Sequence, residues 1–239
     1  MICAGGAATW LAVLLAIGAP AWAGSFMVTP IRATLSAAHP VAALTVRNDG
    51  AEPTVVQVDA LSWSQREGAD VYAPTKEIIA TPPIFSIKPG ASQVIRVGLR
   101  REPDSGRELT YRLSLAEIPP PPKADFMGLR VALRMIVPVF VVPPGGTAPR
   151  LQWRVAAAGP GALSVALRND GNAHVQVTHL RLESPPGQEL DRQQASFYVL
   201  PGQSREWRLK GTAQPGSALR VHARTDAGDV QTDLKVEGR

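Results

Sequence analysis

Val41-Ala42-Ala43-Leu44-Thr45-Val46-Arg47-Asn48-Asp49-Gly50 is a β-rich run closed by three residues that tolerate positive φ. Thr54-Val55-Val56-Gln57-Val58 follows, so the stretch reads as two strands joined by a hairpin or a tight turn. The phrase returns 121 residues later as Leu163-Ser164-Val165-Ala166-Leu167-Arg168, then Asn169-Asp170-Gly171, then His174-Val175-Gln176-Val177. That offset is about the length of one immunoglobulin-like sandwich. Two matching phrases in matching surroundings predict two related β domains rather than a short-period repeat.

Further strands are predicted at Gln93–Val97, Tyr111–Leu115 and Ala218–His222, and long amphipathic helical windows are scarce. Pro143-Pro144-Gly145-Gly146-Thr147-Ala148-Pro149 stops the preceding strand and cannot continue a ladder, which makes it the linker. The expected organisation is all-β: two immunoglobulin-like β-sandwich domains, residues 24–143 and 147–239.

The composition agrees with this and narrows the function. Of 239 residues, 45% are hydrophobic, 5% aromatic and 19% charged, with 21 Gly and 22 Pro. That is enough apolar material for a sizeable core and too many turn formers for a helix bundle. The net charge is +5 with Lys and Arg scattered, so nucleic-acid binding is not favoured. The single cysteine, Cys3, permits neither a disulfide framework nor a Cys-based zinc site.

No charge occurs before Arg32. Trp10–Ile17 is a short apolar run, too short to span a bilayer comfortably, and Ala21-Trp22-Ala23 is a small-x-small cleavage pattern. Residues 1–23 therefore read as a secretory signal peptide, although no Lys or Arg opens it; the alternative is a buried N-terminal helix. Cleavage after Ala23 would remove Cys3. Ile136–Val142 is apolar but limited by Pro138, Pro143 and Pro144, so no membrane insertion is expected.

The segment from Phe126 to Phe140 has the most unusual pattern. Met127, Leu129, Val131, Leu133, Met135, Val137 and Val139 place apolar groups on one face, while Arg130 and Arg134 fall on the other. An ordinary half-buried strand would show this period too. Two features set it apart: its length exceeds twice the usual five or six residues, and Ile118-Pro119-Pro120-Pro121-Pro122-Lys123-Ala124-Asp125 precedes it. Such a proline run cannot be hydrogen-bonded sheet, though it could serve as a polyproline ligand. A long edge strand with exposed apolar residues needs a partner to cover it.

With these features in place, the sequence resembles the periplasmic chaperones of the chaperone–usher pilus pathway. The resemblance rests on Thr81-Pro82-Pro83-Ile84-Phe85-Ser86-Ile87-Lys88-Pro89-Gly90 followed by Gln93-Val94-Ile95-Arg96-Val97. It rests also on Glu108–Pro120, on the alternation from Met127 to Leu133, and on the late turn Asp226-Ala227-Gly228. It implies two sandwiches in an L-shaped arrangement, periplasmic localisation, and pilus subunits and an outer-membrane usher as partners. It also implies that the alternating strand completes the subunit's open fold, with Met127, Leu129, Val131 and Leu133 filling successive pockets. Chaperone–pilin complementation is a standing example of such strand addition. At about 1.5–3 kcal/mol per buried large aliphatic side chain, four contribute on the order of 6–12 kcal/mol before association costs. Self-capping of this strand by dimerisation is left open.

The family holds the subunit's terminal carboxylate with a basic pair, of which Arg32 matches the arginine. Pro138 stands in place of the lysine, and Arg134, four residues earlier on the same strand face, is the candidate substitute. Glu108 and Asp226 match an interdomain charge cluster, but Val142 replaces its arginine and Ser114 replaces an asparagine of the signature strand. These departures imply a divergent branch, such as the archaic one serving Csu-like or spore-coat-like pilins.

No enzyme is expected. His39, His174, His179 and His222 form neither His-x-His nor HExxH and read as surface or core residues, and no nucleophile elbow or phosphate loop occurs. Catalytic residues, metal and cofactor are accordingly none. The rival reading is a secreted structural or adhesive β-sandwich such as a pilus subunit, but a subunit would carry its donor strand as a free N-terminal extension. A carbohydrate-active enzyme would need a carboxylate pair in a cleft.

Overall fold

The computed structural model describes residues 26–121 and 131–238. Seventeen strands and no helix occur among the described residues. The first ten build two facing sheets. One runs β1 (Phe26–Thr29), β3 (Val41–Asn48), β8 (Ser92–Leu99) and β6 (Ile78–Thr81). The other runs β2 (Ala33–Leu35), β10 (Arg134–Val141), β9 (Leu109–Ile118), β4 (Thr54–Arg66) and β5 (Ala69–Pro74), with β7 (Ile84–Ile87) also on β4. Strict alternation turns Leu44, Val46, Ile95 and Val97 of one sheet inward against Val56, Val58, Leu113, Leu115, Val137 and Val139 of the other.

The remaining strands form the second sandwich. β14 (Gln188–Val199), β13 (Val175–Ser184), β16 (Ala218–Thr225) and β17 (Gly228–Glu237) make one layer, and β11 (Leu151–Ala157), β12 (Ala162–Asn169) and β15 (Ser204–Lys210) the other. The two layers join only where Val155 and Ala156 run parallel to Val236 and Glu237. Its core contains Val155, Val165, Leu167, Val177, Leu182, Val221 and Trp207. Asp226-Ala227 forms the tight turn of the β16–β17 hairpin, where Thr225 faces Gly228.

The repeated Asn-Asp-Gly phrase is not a hairpin. β3 and β4 belong to different sheets, as do β12 and β13, so each phrase is a tight turn that carries the chain across a sandwich. The asparagine organises each crossing. Asn48 Nδ2 donates to the carbonyls of Glu52 (2.8 Å) and Ile87 (2.9 Å), and its Oδ1 accepts from Gly50 N. Asn169 repeats this with Ala173 (2.7 Å), Val199 (3.1 Å) and Gly171 N. Both main chains also take the amide of the glycine in a Pro-Gly turn, Gly90 for Asn48 and Gly202 for Asn169.

The second turn clasps the connecting segment as well. Gly171 lies against it so closely that an added Cβ would stand 2.3 Å from the Ala148 carbonyl oxygen. Asn172 holds Ala148 N and the carbonyl of Gly146.

The long strand expected over residues 126–140 begins, among the described residues, at Arg134. Residues 131–133 precede it without strand pairing, and 122–130 lie outside the described residues. Its partner β9 ends at Ile118, after which Pro119 and Pro120 offer no N–H to the ladder. Glu117 N donates to Leu133 O, answered by the Glu117 carboxylate on Leu133 N.

Asn48→Ala or Asn169→Ala should each cost about 2–4 kcal/mol, since several fully buried backbone groups lose partners worth about 1–3 kcal/mol each. Asp49→Ala, at the exposed neighbour paired only with Arg47, should cost under about 1 kcal/mol. Urea unfolding of the three variants checks the contrast.

Candidate functional site

β10 has two unlike halves. From Val139 to Val141 it lies between β9 and the three-residue β2, which runs parallel to it. From Arg134 to Pro138 it pairs with β9 alone, and its other edge carries no strand among the described residues. Along this open stretch Leu133 and Met135 lean on the core, Val137 is buried, and Arg134 and Ile136 face outward. Val131, just before it, is 64% exposed. Of the four expected pocket fillers, Met127 and Leu129 lie outside the described residues.

The outer face of the same sheet seats the second sandwich. Trp63 of β4 and Phe140 of β10 pack with Tyr198 and Leu200 into a small core between the two. Gln65 locks this contact, donating to the Tyr198 carbonyl at 2.8 Å and accepting from Leu200 N at 3.0 Å. Its Nε2 also reaches Asp70, which takes the Trp63 indole N–H at 3.0 Å.

Beside this core the two expected interdomain residues meet through a third. Glu108 Oε2 accepts from His174 N at 2.9 Å and lies 2.6 Å from His174 Nδ1. The ring stacks flat on Phe140, centroids 3.5 Å apart, and its Nε2 lies 3.4 Å from Asp226 Oδ2. The same Asp226 oxygen is 2.9 Å from Arg32 Nη1, while Oδ1 takes Gln176 N at 2.8 Å. Burial pushes the Asp226 carboxyl up, but His174, the Gln176 amide and Arg32 outweigh it and hold it at about 2.

Arg32 occupies the crossing from β1 to β2, where the chain changes sheets. Continuing the parallel register one residue back from Ala33 and Val139 places it alongside Pro138, whose partner on β9 is Arg112. Arg32, Pro138 and Arg112 therefore form one row on one face. Arg112 is only 8% exposed; its guanidinium lies 3.6 Å above the Trp63 ring and 5.1 Å from that of Tyr198. Its Nε has no hydrogen-bond partner and it makes no ion pair among the described residues. Burial lowers its pKa, as expected of a desolvated cation.

Arg134 lies four residues farther along, about 13 Å by strand rise, with its Nε on Ser114 Oγ at 2.7 Å. The structure thus brings Arg32, Asp226 and Glu108 together and leaves Arg134 up the strand. Arg112 was overlooked in the sequence, and His174 was read there only as a surface or core histidine. For Arg112 the available signal was a charge alternating with Tyr111, Leu113 and Leu115. For His174 there was none, because its partners are 66 and 52 residues away in the chain. Among the described residues, no group of three or more His, Cys, Asp and Glu side chains could hold a metal ion.

Two stacked-sheet sandwiches joined at a charged junction, with one open strand edge leading into it, define a two-domain immunoglobulin-like architecture. The family model for the pili and flagellar-assembly chaperone, PapD N-terminal domain, matches residues 25–147, and the chain belongs to this family. The chaperone protein FimB/FhaD of Bordetella pertussis is 28% identical over 149 residues, 59% of this chain and 59% of that protein. The chain thus aligns with about three-fifths of the length of that curated relative.

A chain of the CsuC–CsuE chaperone–tip adhesion subunit pre-assembly complex from archaic chaperone-usher Csu pili of Acinetobacter baumannii shares the fold. Its TM-score is 0.66 at 22% identity, with 90% of this chain and 99% of that chain covered. The Salmonella enterica SafA pilin–SafB chaperone complex gives 0.60 at 15% identity, covering 88% and 96%.

Phe140→Ala removes the ring that His174, Trp63 and Tyr198 share and should cost about 3–5 kcal/mol, with the calorimetric transition splitting into one for each sandwich. Asp226 contributes stability above the ordinary carboxylate value of about 3.9, lost as pH falls through about 2. The wild-type advantage over Asp226→Asn should therefore be about 2 kcal/mol from pH 5 to 6, mostly lost by pH 2 and gone by about pH 1, measured by urea unfolding.

Proposed function

We infer that the chain is a non-enzymatic periplasmic chaperone that holds pilus subunits folded by donor-strand complementation and delivers them to an outer-membrane usher. Residues 1–23 act as its export signal, and residues 24–143 and 147–239 are its two domains. The open edge of β10, leading down to Arg32 and Arg112, is the observation that carries this reading. A subunit lacking its last strand offers an unpaired edge and an apolar groove. Main-chain hydrogen bonds along β10 satisfy the edge, and Met127, Leu129, Val131 and Leu133 fill the groove. The resemblance to the archaic Csu-like branch supports the same role.

The subunit's terminal carboxylate is taken by Arg32, with Arg112 as the second cation. These two flank Pro138, where the family's lysine would stand, and Arg112 is a buried guanidinium that makes no ion pair among the described residues. A carboxylate bridging them satisfies both with charge-assisted hydrogen bonds. Arg134 acts as the second cation only for a terminus that stops about four residues short of Pro138.

Co-expression with pilins encoded nearby, followed by co-purification, tests the reading. Val131→Asp and Leu133→Asp should abolish capture; the exposed Val131 leaves the free chain folded, and circular dichroism checks folding for Leu133, which also leans on the core. Arg32→Ala and Arg112→Ala should each reduce captured subunit about 10- to 100-fold, the loss of one charge-assisted contact. Unimpaired capture by both aspartate variants overturns the donor-strand reading. Loss with Arg134→Ala but not Arg112→Ala returns the anchor to Arg134.

A further inference from the structure

Arg32 is already occupied in the free chain. Its Nη1 sits 2.9 Å from Asp226 Oδ2, the oxygen that also lies 3.4 Å from His174 Nε2. From His174 the contacts continue to Glu108 at 2.6 Å. The line Glu108–His174–Asp226–Arg32 starts in the first sandwich, passes through two residues of the second and returns to the first.

The hydrogen-bonding capacity of imidazole makes this line sensitive to one proton. Neutral histidine donates from one nitrogen only. Glu108 can only accept, so it takes the proton at Nδ1, and Nε2 then presents a lone pair to the Asp226 carboxylate. That pairing is repulsive, so with the ring neutral the 3.4 Å approach gives no hydrogen bond. Asp226 then depends on Arg32 for its counter-charge. With His174 charged, Nε2 becomes a donor, Asp226 gains a second cation, and Arg32 can turn to another carboxylate at lower cost.

The groups facing His174 are few. Glu108 approaches from the segment before β9, Asp226 from the β16–β17 turn and Arg32 from the β1–β2 crossing. Tyr198 of β14 stands with its ring 5.6 Å away, next to Arg112, and Phe140 covers one face. Two carboxylates touch the ring and no cation does. We propose that His174 is a proton-linked latch: charged, it ties the two sandwiches through Glu108, holds Asp226 within its own sandwich, and so frees Arg32 for the carboxylate terminus of a captured subunit. The second half of this statement rests on the assignment of Arg32 made above.

Burial pulls the His174 pKa down, but the hydrogen bonds and charges of Asp226 and Glu108 outweigh it and raise it above the ordinary value. A raised folded value means the latch contributes fully below the unfolded value of about 6.5 and is lost as pH rises through the folded one. Because linkage is reciprocal, a carboxylate bound beside the line favours the charged ring as much as the charged ring favours the carboxylate.

NMR of the isotopically labelled, subunit-free chain tests the latch between pH 5 and 9. The His174 ring nitrogens should titrate with a midpoint above that of an exposed histidine. The Arg32 Nε–H signal should move with the same midpoint, and Asp226→Asn should lower the His174 midpoint. An Arg32 signal that ignores the His174 titration, or a His174 midpoint at or below the exposed value, overturns the proposal. Wild-type protein alone decides this, so an unstable variant does not obscure it.

For the co-purified subunit complex, affinity should fall by at most about tenfold per pH unit above the His174 midpoint, the limit for one linked proton. In His174→Gln that dependence should be flat. If Arg32→Ala leaves capture intact, the anchor assignment falls while the titration still judges the latch. If the titration fails while Arg32→Ala abolishes capture, the latch alone falls.

Discussion

The shortness of β2 governs the rest of the molecule. It covers β10 for three residues, Ala33–Leu35 against Val139–Val141, and then ends. Above that contact β10 keeps one edge without a strand partner among the described residues; below it, the strand is enclosed on both sides and Phe140 can serve as a platform for the second sandwich. One strand thereby joins an unsatisfied edge to a rigid junction, and the crossing that begins β2 delivers Arg32 to the boundary between them. Pro138 suits that boundary, since an edge position tolerates a residue without an N–H.

The junction is rigid because several unlike contacts converge there. Trp63, Phe140, Tyr198 and Leu200 supply an apolar contact, and Gln65 satisfies the backbone of the strand that crosses it. Asn172 and Gly171 hold the connecting segment against the turn beside it. Glu108 contacts both the backbone and the ring of His174, so its carboxylate is committed to the partner sandwich. The twin asparagines do for each sandwich what these contacts do between them, satisfying buried carbonyls where the chain must change sheets.

Charge is distributed unevenly around this centre. Arg112 sits over Trp63, buried and, among the described residues, without an ion-pair partner in contact, although Asp70 lies near enough to act on it. That is a costly state for a cation, which an arriving anion relieves. Asp226, by contrast, is paired with Arg32 and faces the His174 ring. The contrast makes the row Arg32–Pro138–Arg112 receptive to an anion while the adjacent line of His174 and Asp226 is already compensated.

Much of the fold was legible in the sequence. Period-two alternation, the repeated Asn-Asp-Gly turns and the proline-rich break at residue 143 report local physics: which face a strand buries and where backbone must turn. The pairing of Asp226 and Glu108 with the junction was legible only through resemblance, because they are far apart in the chain. The choice between hairpin and crossing stayed open because a turn's residues state that the chain turns, not which sheet it enters. The start of β10 at Arg134 was hidden for a similar reason, since its limit is set by prolines ending the neighbouring strand. Arg112 and His174 acquired their roles from tertiary structure alone. A charge in a strand becomes an unpaired buried cation, and a histidine becomes a bridge, only when another sandwich closes over it.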